Sequence, residues 1–170
     1  MEMIRLATQE DLQQITAIYN QAVLAKFETA DTDPVSVESR ENWLAVHPAD
    51  QYPVIVYEYA GIVRGWCSIS PYRRGRGALR FTAEISYYVD RDMRGRGIGG
   101  RLLESAIALA ASLGFRNLFA IVLDRNHPSI RLLEKSGFRK WGEMPGVADF
   151  DGDECGHLYY GKRIAHSASL

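Results

Sequence analysis

Cysteine is nearly missing from this chain: Cys67 and Cys155 are the two in 170 residues, far apart and without a Cys-x-x-Cys spacing. That argues against a disulfide framework, and each lies in a strand-like run where a reduced core thiol is expected. An excess of charge is missing too, because 20 Lys and Arg face 21 Asp and Glu for a formal net charge of -1. Nucleic-acid and membrane-surface binders carry a bias of charge, so neither partner is expected. No apolar run approaches the roughly 18 residues of a membrane span, and Met1-Glu2-Met3-Ile4-Arg5 holds no apolar signal core. The cytoplasm is the expected location. His47, His127, His157 and His166 are scattered without ligand spacing, so they read as structural or surface residues and no metal is expected.

Glycine, by contrast, is concentrated. Arg94-Gly95-Arg96-Gly97-Ile98-Gly99-Gly100 follows a strand pattern, Glu84 to Val89, and opens a helix whose apolar face is Leu102, Leu103, Ala106, Ile107 and Ala110. Glycines let consecutive backbone amides turn toward one point, and a helix N-terminus adds partial positive charge behind them, which together make a cradle for phosphate. Gly95 to Gly100 also satisfies the nicotinamide fingerprint literally, with Asp124 as the following acidic residue. The order of elements decides between the two.

Met3 to Ala7 reads as a strand, and Thr8 as the cap of a helix with Leu12, Ile15, Ile18, Tyr19 and Val23 on one face. Lys26 to Pro34 is a polar loop, and Ser36 caps a second helix that ends before Pro48. Pro53 to Tyr59 and Ile62 to Ser70 form a hairpin about Ala60-Gly61. The basic loop Arg73-Arg74-Gly75-Arg76 leads to the strand at Glu84. Leu118 to Leu123 is a buried strand parallel to it, because a whole helix separates the two. A short helix from Ser129 to Lys135 is closed by Gly137, and Phe138 to Met144 and Cys155 to Arg163 are the last strands, joined by a loop through Pro145-Gly146 and Asp151-Gly152-Asp153. One domain, 1–165, is expected, with a frayed tail at 166–170. This is an α+β order around a mixed sheet. A nicotinamide domain puts its fingerprint after the first strand, whereas here it follows the fourth; a phosphate loop of the Gly-Lys-Ser/Thr kind is absent.

Arg94-x-x-Gly97-x-Gly99 at a strand-to-helix junction, followed by Asn126-x-x-Ser129 and Gly137-Phe138, resembles the signature of the GCN5-related N-acetyltransferase superfamily, and the element order matches its fold along nearly the whole chain. Lys26-Phe27-Glu28-Thr29, Phe81 to Val89 and Trp141 to Val147 are similar to the phosphinothricin or methionine sulfoximine acetyltransferase group. The resemblance implies a mostly antiparallel sheet of about seven strands with a splayed parallel central pair, about four helices, acetyl-CoA as donor, and direct transfer to the amine of a small amino acid or analogue. It also implies a homodimer.

In such a protein the amides of Gly95, Arg96, Gly97, Ile98, Gly99 and Gly100 wrap the pyrophosphate, with Arg94, Arg96 or Arg101 as charge partners. The backbone of Tyr87, Tyr88 and Val89 holds the pantetheine arm as a pseudo-strand and supplies amides to the thioester carbonyl. Asn126 pairs with a pantetheine amide or is simply a turn residue before proline; Lys135 is a cofactor contact or a solvated lysine. Glu84, in the apolar setting Ala83-Glu84-Ile85, is either a base with a burial-raised pKa or a group paired to arginine, and the resemblance points to the base. Arg74 and Arg76 suit an acidic acceptor, with Phe27 and Glu28 as the opposite wall. Where the superfamily often has a tyrosine to protonate the departing thiolate, this chain has Leu133, which leaves Tyr88 or Tyr160 as substitutes, or no acid at all. The rival readings are an acetyltransferase of protein N-termini, lysines or polyamines, and a non-catalytic acyl-CoA-binding regulator.

Overall fold

The computed structural model describes residues 1–164. The expected tail at 166–170, His166 included, lies outside the described residues. Seven strands form one sheet: β1 (Glu2–Leu6), β2 (Val54–Tyr59), β3 (Ile62–Pro71), β4 (Thr82–Val89), β5 (Asn117–Leu123), β6 (Arg139–Phe150) and β7 (Asp153–Arg163). The helices are α1 (Leu12–Ala25), α2 (Val37–Ala45), α3 (Ile98–Ser112) and α4 (His127–Lys135). The spatial order is β1-β2-β3-β4-β5-β7-β6, antiparallel except for β4 and β5. The fold is therefore the α+β arrangement expected from the sequence.

The two faces of the sheet follow from period-two alternation. Cys67, Ile69, Ala83, Ile85, Leu118 and Ala120 point to one side, where the apolar stripe of α3 (Leu102, Leu103, Ala106, Ala110) and Leu133 of α4 seal a continuous core. Val54, Val56 and Trp66 point to the other, beneath Ile15, Ile18 and Tyr19 of α1. Glu84, Ser86 and Tyr88 share that second face with α1 and α2.

One expectation fails at the C-terminal hairpin. Pro145-Gly146 does not end a strand; β6 runs through it to Phe150, with its pairing to β7 shifted between Met144 and Ala148. The reason is position: β6 is the outermost strand, and Pro145 falls between Met144 and Ala148, where the pairing to β7 is irregular and no ladder partner is assigned to it. The actual turn is Asp151-Gly152, both at positive φ (59° and 88°), as tight hairpins require.

The central pair is the feature that positions the site. β4 and β5 pair only at Thr82↔Asn117, Ala83↔Leu118 and Glu84↔Phe119. On their outer sides the strands stay paired much further, β4 with β3 out to Val89↔Gly65 and β5 with β7 out to Leu123↔His157. Beyond Glu84 the parallel strands thus part, and the β5-facing backbone groups of residues 85–89 are left without a strand partner.

Candidate active site

A cleft of about 330 Å³ opens in this gap, walled by Ile85 to Val89 of β4, Ala120 to Val122 of β5, Arg94, Gly95 and Gly97 to Gly100 of the glycine turn, and the first turns of α4. Gly97 caps α3 in the left-handed region at φ 78°, and Gly95 has φ 76°. A Cβ at either would meet no atom within 4 Å, so the glycines are required by backbone conformation rather than by packing. Gly99 has the opposite reason: its Cβ would lie 2.9 Å from Leu132 Cδ2, so it lets α3 and α4 approach closely. The first amides of α3 have no partner inside the helix. They open on the cleft.

Tyr87, Tyr88, Val89, Arg94, Gly95, Gly97, Ile98, Gly99, Gly100 and Asn126 all line the cleft. The Asn126 Oδ1 accepts from the Ser129 backbone N–H at 3.3 Å, capping α4. This is the turn role expected of it; its amide NH₂ is not used by that bond, and the residue lines the cleft. Ser129 is a lining residue the sequence did not single out. The Tyr87 hydroxyl donates to its Oγ at 3.1 Å across the cleft, and burial pushes the Tyr87 phenol up to about 12.

The arginines of the turn part company. Arg94 donates to both carboxylate oxygens of Glu28, at 2.8 and 2.7 Å, and Glu28 also lines the cleft. The expected acceptor wall and the expected phosphate partner are thus one ion pair over the mouth. Arg96 is exposed and does not line the cleft, and Arg101 pairs with Glu2 and lies over the Tyr57 ring. Helical phase turns Arg101 toward β1 and β2. Arg101 borders a second depression, which shares Gly97 and Gly100 with the cleft, together with Lys135 and Lys162.

Phe27 lies outside this cleft. It packs edge-on against Phe150 at 4.9 Å with Arg125 over its ring, in a cluster with Leu123 and Cys155. Lys26 and Phe27 are consecutive non-glycine residues at positive φ (54° and 57°), a strained exit from α1 that turns Phe27 to this cluster and Glu28 to the cleft.

Glu84 sits at the last rung of the parallel pair. It is half-buried and has no hydrogen bond or ion pair among the described residues, and burial alone raises its pKa. Of the two readings open from the sequence, the arginine-paired one is therefore removed. Phe119, its partner on β5, packs edge-on against Tyr72 at 4.9 Å, which brings the basic loop beside it. Within that loop Arg74 donates to the Val46 carbonyl at 3.0 Å, and Arg74 and Arg76 are both exposed. His47, read from the sequence as structural or surface, is buried here at the end of α2, between the Trp43 carbonyl and the Ser70 hydroxyl.

Leu133 is fully buried and also lines the cleft. Tyr160 donates to Glu134 at 3.0 Å, and Tyr88 packs against Tyr19 and Trp66, where burial pushes its phenol well up. Cys67 and Cys155 are free and buried, and burial raises both thiols. Among the described residues no group of three or more His, Cys, Asp or Glu could hold a metal ion. Nor is any helix there long and apolar enough to cross a membrane.

A parallel pair that splays over a glycine-capped helix N-terminus defines an acyl-CoA-dependent transferase. The model of the acetyltransferase (GNAT) family matches residues 12–138, and the chain belongs to that family. It is an N-acetyltransferase with acetyl-CoA as donor. A Bacillus subtilis protein provisionally named phosphinothricin acetyltransferase YwnH is 40% identical over 95% of this chain and 99% of its own. An L-methionine sulfoximine/L-methionine sulfone acetyltransferase of Pseudomonas paraeruginosa is 37% identical over 85% of this chain and 84% of its own. The solved phosphinothricin acetyltransferase of Sinorhizobium meliloti, in complex with acetyl-CoA, is 29% identical and superposes with a TM-score of 0.90 over 99% of this chain and 92% of that one.

Proposed function

We propose that the protein acetylates the α-amine of a small amino acid or analogue of the phosphinothricin or methionine sulfoximine type, by direct attack with both substrates bound. The observation that carries this is Glu84, a half-buried carboxylate with no partner among the described residues, on the face away from α3. It stands at the last β4–β5 rung, next to Ile85 of the cleft wall, though it is not itself a lining residue. An amine is mostly protonated at neutral pH and must lose a proton to attack, and a carboxylate of raised pKa is suited to take it. The exposed guanidinium groups of Arg74 and Arg76 suit the acidic end of such an acceptor. The names of the relatives point to the same acceptor class.

The residues present fit acetyl-CoA. The amides from Gly95 to Gly100 and the Arg94 guanidinium suit its pyrophosphate, the unpaired β4 edge from Tyr87 to Val89 its pantetheine amides, and the free amide of Asn126 one of these. Lys135, with Arg101 and Lys162 in the outer depression, suits the nucleotide end. When bound, it supplies an activated thioester. Its thiol has a pKa of roughly 8.5, low enough for the thiolate to depart with Leu133 where an acid would stand. Arg94 is shared between Glu28 and the phosphates, so filling the cleft draws on the same pair that holds the loop after α1.

Direct transfer rather than an acyl-enzyme is supported by the two cysteines, whose raised pKa values keep them as thiols. Initial rates with acetyl-CoA and methionine sulfoximine varied together are expected to give intersecting double-reciprocal lines; parallel lines would mean a covalent intermediate. The enzyme works in the cytoplasm, where acetyl-CoA is available and both thiols stay reduced. Two copies pair through the outer strand β6, where Trp141, Met144 and Val147 are each about half exposed. Sedimentation equilibrium is expected to return the mass of a dimer, and a monomer at micromolar concentration would reject the pairing.

A further inference from the structure

The His47 ring has two fixed neighbours. Its Nδ1 lies 2.6 Å from the Trp43 carbonyl oxygen and its Nε2 lies 2.9 Å from Ser70 Oγ. A carbonyl oxygen can only accept, so Nδ1 carries the proton. The neutral ring then presents a bare Nε2, and the Ser70 hydroxyl must donate to it. Burial, with Arg74 and Arg40 close by, lowers the His47 pKa and keeps the ring neutral. Every donor and acceptor on this ring is therefore assigned.

Ser70 lies directly opposite Glu84 in the β3–β4 ladder. Directly opposed residues hold their Cβ atoms about 4.5–5.5 Å apart, on the same side of the sheet. Both side chains are on the face away from α3, because Ile69, Ala83 and Ile85 occupy the core beneath that helix. A free hydroxyl at this distance would turn its proton to the Glu84 carboxylate and satisfy it. With its proton committed to His47, Ser70 offers the site lone pairs only.

We propose that His47 is a positioning residue for the acceptor amine: by taking the Ser70 proton it turns Ser70 Oγ into a second hydrogen-bond acceptor beside Glu84, so that two oxygens on one face grip an alkylammonium group. This rests on the transfer reading above. It extends the site from one carboxylate to a pair of acceptors and prefers a primary amine, which has N–H groups for both. Glu84 takes the proton; Ser70 aims the nitrogen.

The test is a double-variant cycle in steady-state kinetics with methionine sulfoximine. Ser70→Ala and His47→Phe are each expected to raise the acceptor KM about tenfold, the loss of one hydrogen bond, with the KM for acetyl-CoA unchanged. The combined variant should be no worse than Ser70→Ala alone, because His47 acts through that hydroxyl. His47→Gln, whose amide oxygen can accept from Ser70, should recover most of the loss. Losses that add in the combined variant, or a KM for acetyl-CoA that rises in step, would overturn the role. Ring ¹⁵N NMR of the wild-type protein needs no turnover: a proton on Nδ1 and a bare Nε2 are expected, and a proton on Nε2 overturns the proposal. A wild type with the expected tautomer that turns over no amine would instead remove the transfer reading, and this proposal with it.

Discussion

Glu84→Gln is expected to lower kcat/KM for the amine by about 10²–10⁴-fold, the usual contribution of a positioned general base, while leaving acetyl-CoA binding in place. The wild-type rate should fall as pH falls through the Glu84 pKa. Burial raises that pKa, so the acid limb lies above the ordinary carboxylate value of 4.5. In the variant the limb should vanish, since glutamine does not titrate. The same substitution should stabilise the fold. A carboxyl whose pKa is higher folded than unfolded holds its proton more tightly in the native state, so stability declines as pH rises from the unfolded value, roughly 4.3, through the folded one. Above that window the native state carries a half-buried charge with no partner among the described residues, and Gln removes it. Thermal melts should therefore show Glu84→Gln above wild type at pH 7 and the advantage gone below about pH 4. A pH profile and rate unchanged by the substitution would remove Glu84 from the chemistry.

Gly97→Val is expected to weaken acetyl-CoA binding by about 100-fold, measured by calorimetric titration. Gly97 sits at φ 78° at the cap of α3, where a β-branched residue is an outlier costing about 1–2 kcal/mol. Relief by rotation out of the left-handed region would turn the first amides of the helix away from one another. Each charge-assisted hydrogen bond to a phosphate contributes about 1.5–3 kcal/mol, and 1.4 kcal/mol is tenfold, so losing one or two accounts for the factor. The cost to the fold is a few degrees of melting temperature, because a Cβ here meets no atom within 4 Å. Undiminished affinity would mean that the phosphates are held elsewhere.

What could be read from the sequence was local in origin. The glycine turn ahead of α3 was legible because glycines at a strand-to-helix junction report on backbone conformation at that spot. The parallel relation of β4 and β5 followed from the helix between them. Long-range information was hidden. The pairing of Arg101 with Glu2, ninety-nine residues away, has no local signal. The packing of Phe27 against Phe150 and Arg125 was equally unreadable, because those partners come from other strands and loops. Pro145-Gly146 reads as a break in any isolated stretch and is tolerated only because β6 is outermost. His47 carried no sequence signal, since its meaning depends on Ser70 and on the register that sets Ser70 opposite Glu84.

The most direct measurement is CoA thiol release from acetyl-CoA over a panel of amines: methionine sulfoximine, phosphinothricin, free amino acids and spermidine, with the acetylated product identified by mass. Selective turnover of the amino acid analogues, with the acetyl group on the α-nitrogen, is the predicted result. Selective turnover of spermidine, or binding of acetyl-CoA with no thiol released by any amine, would contradict it.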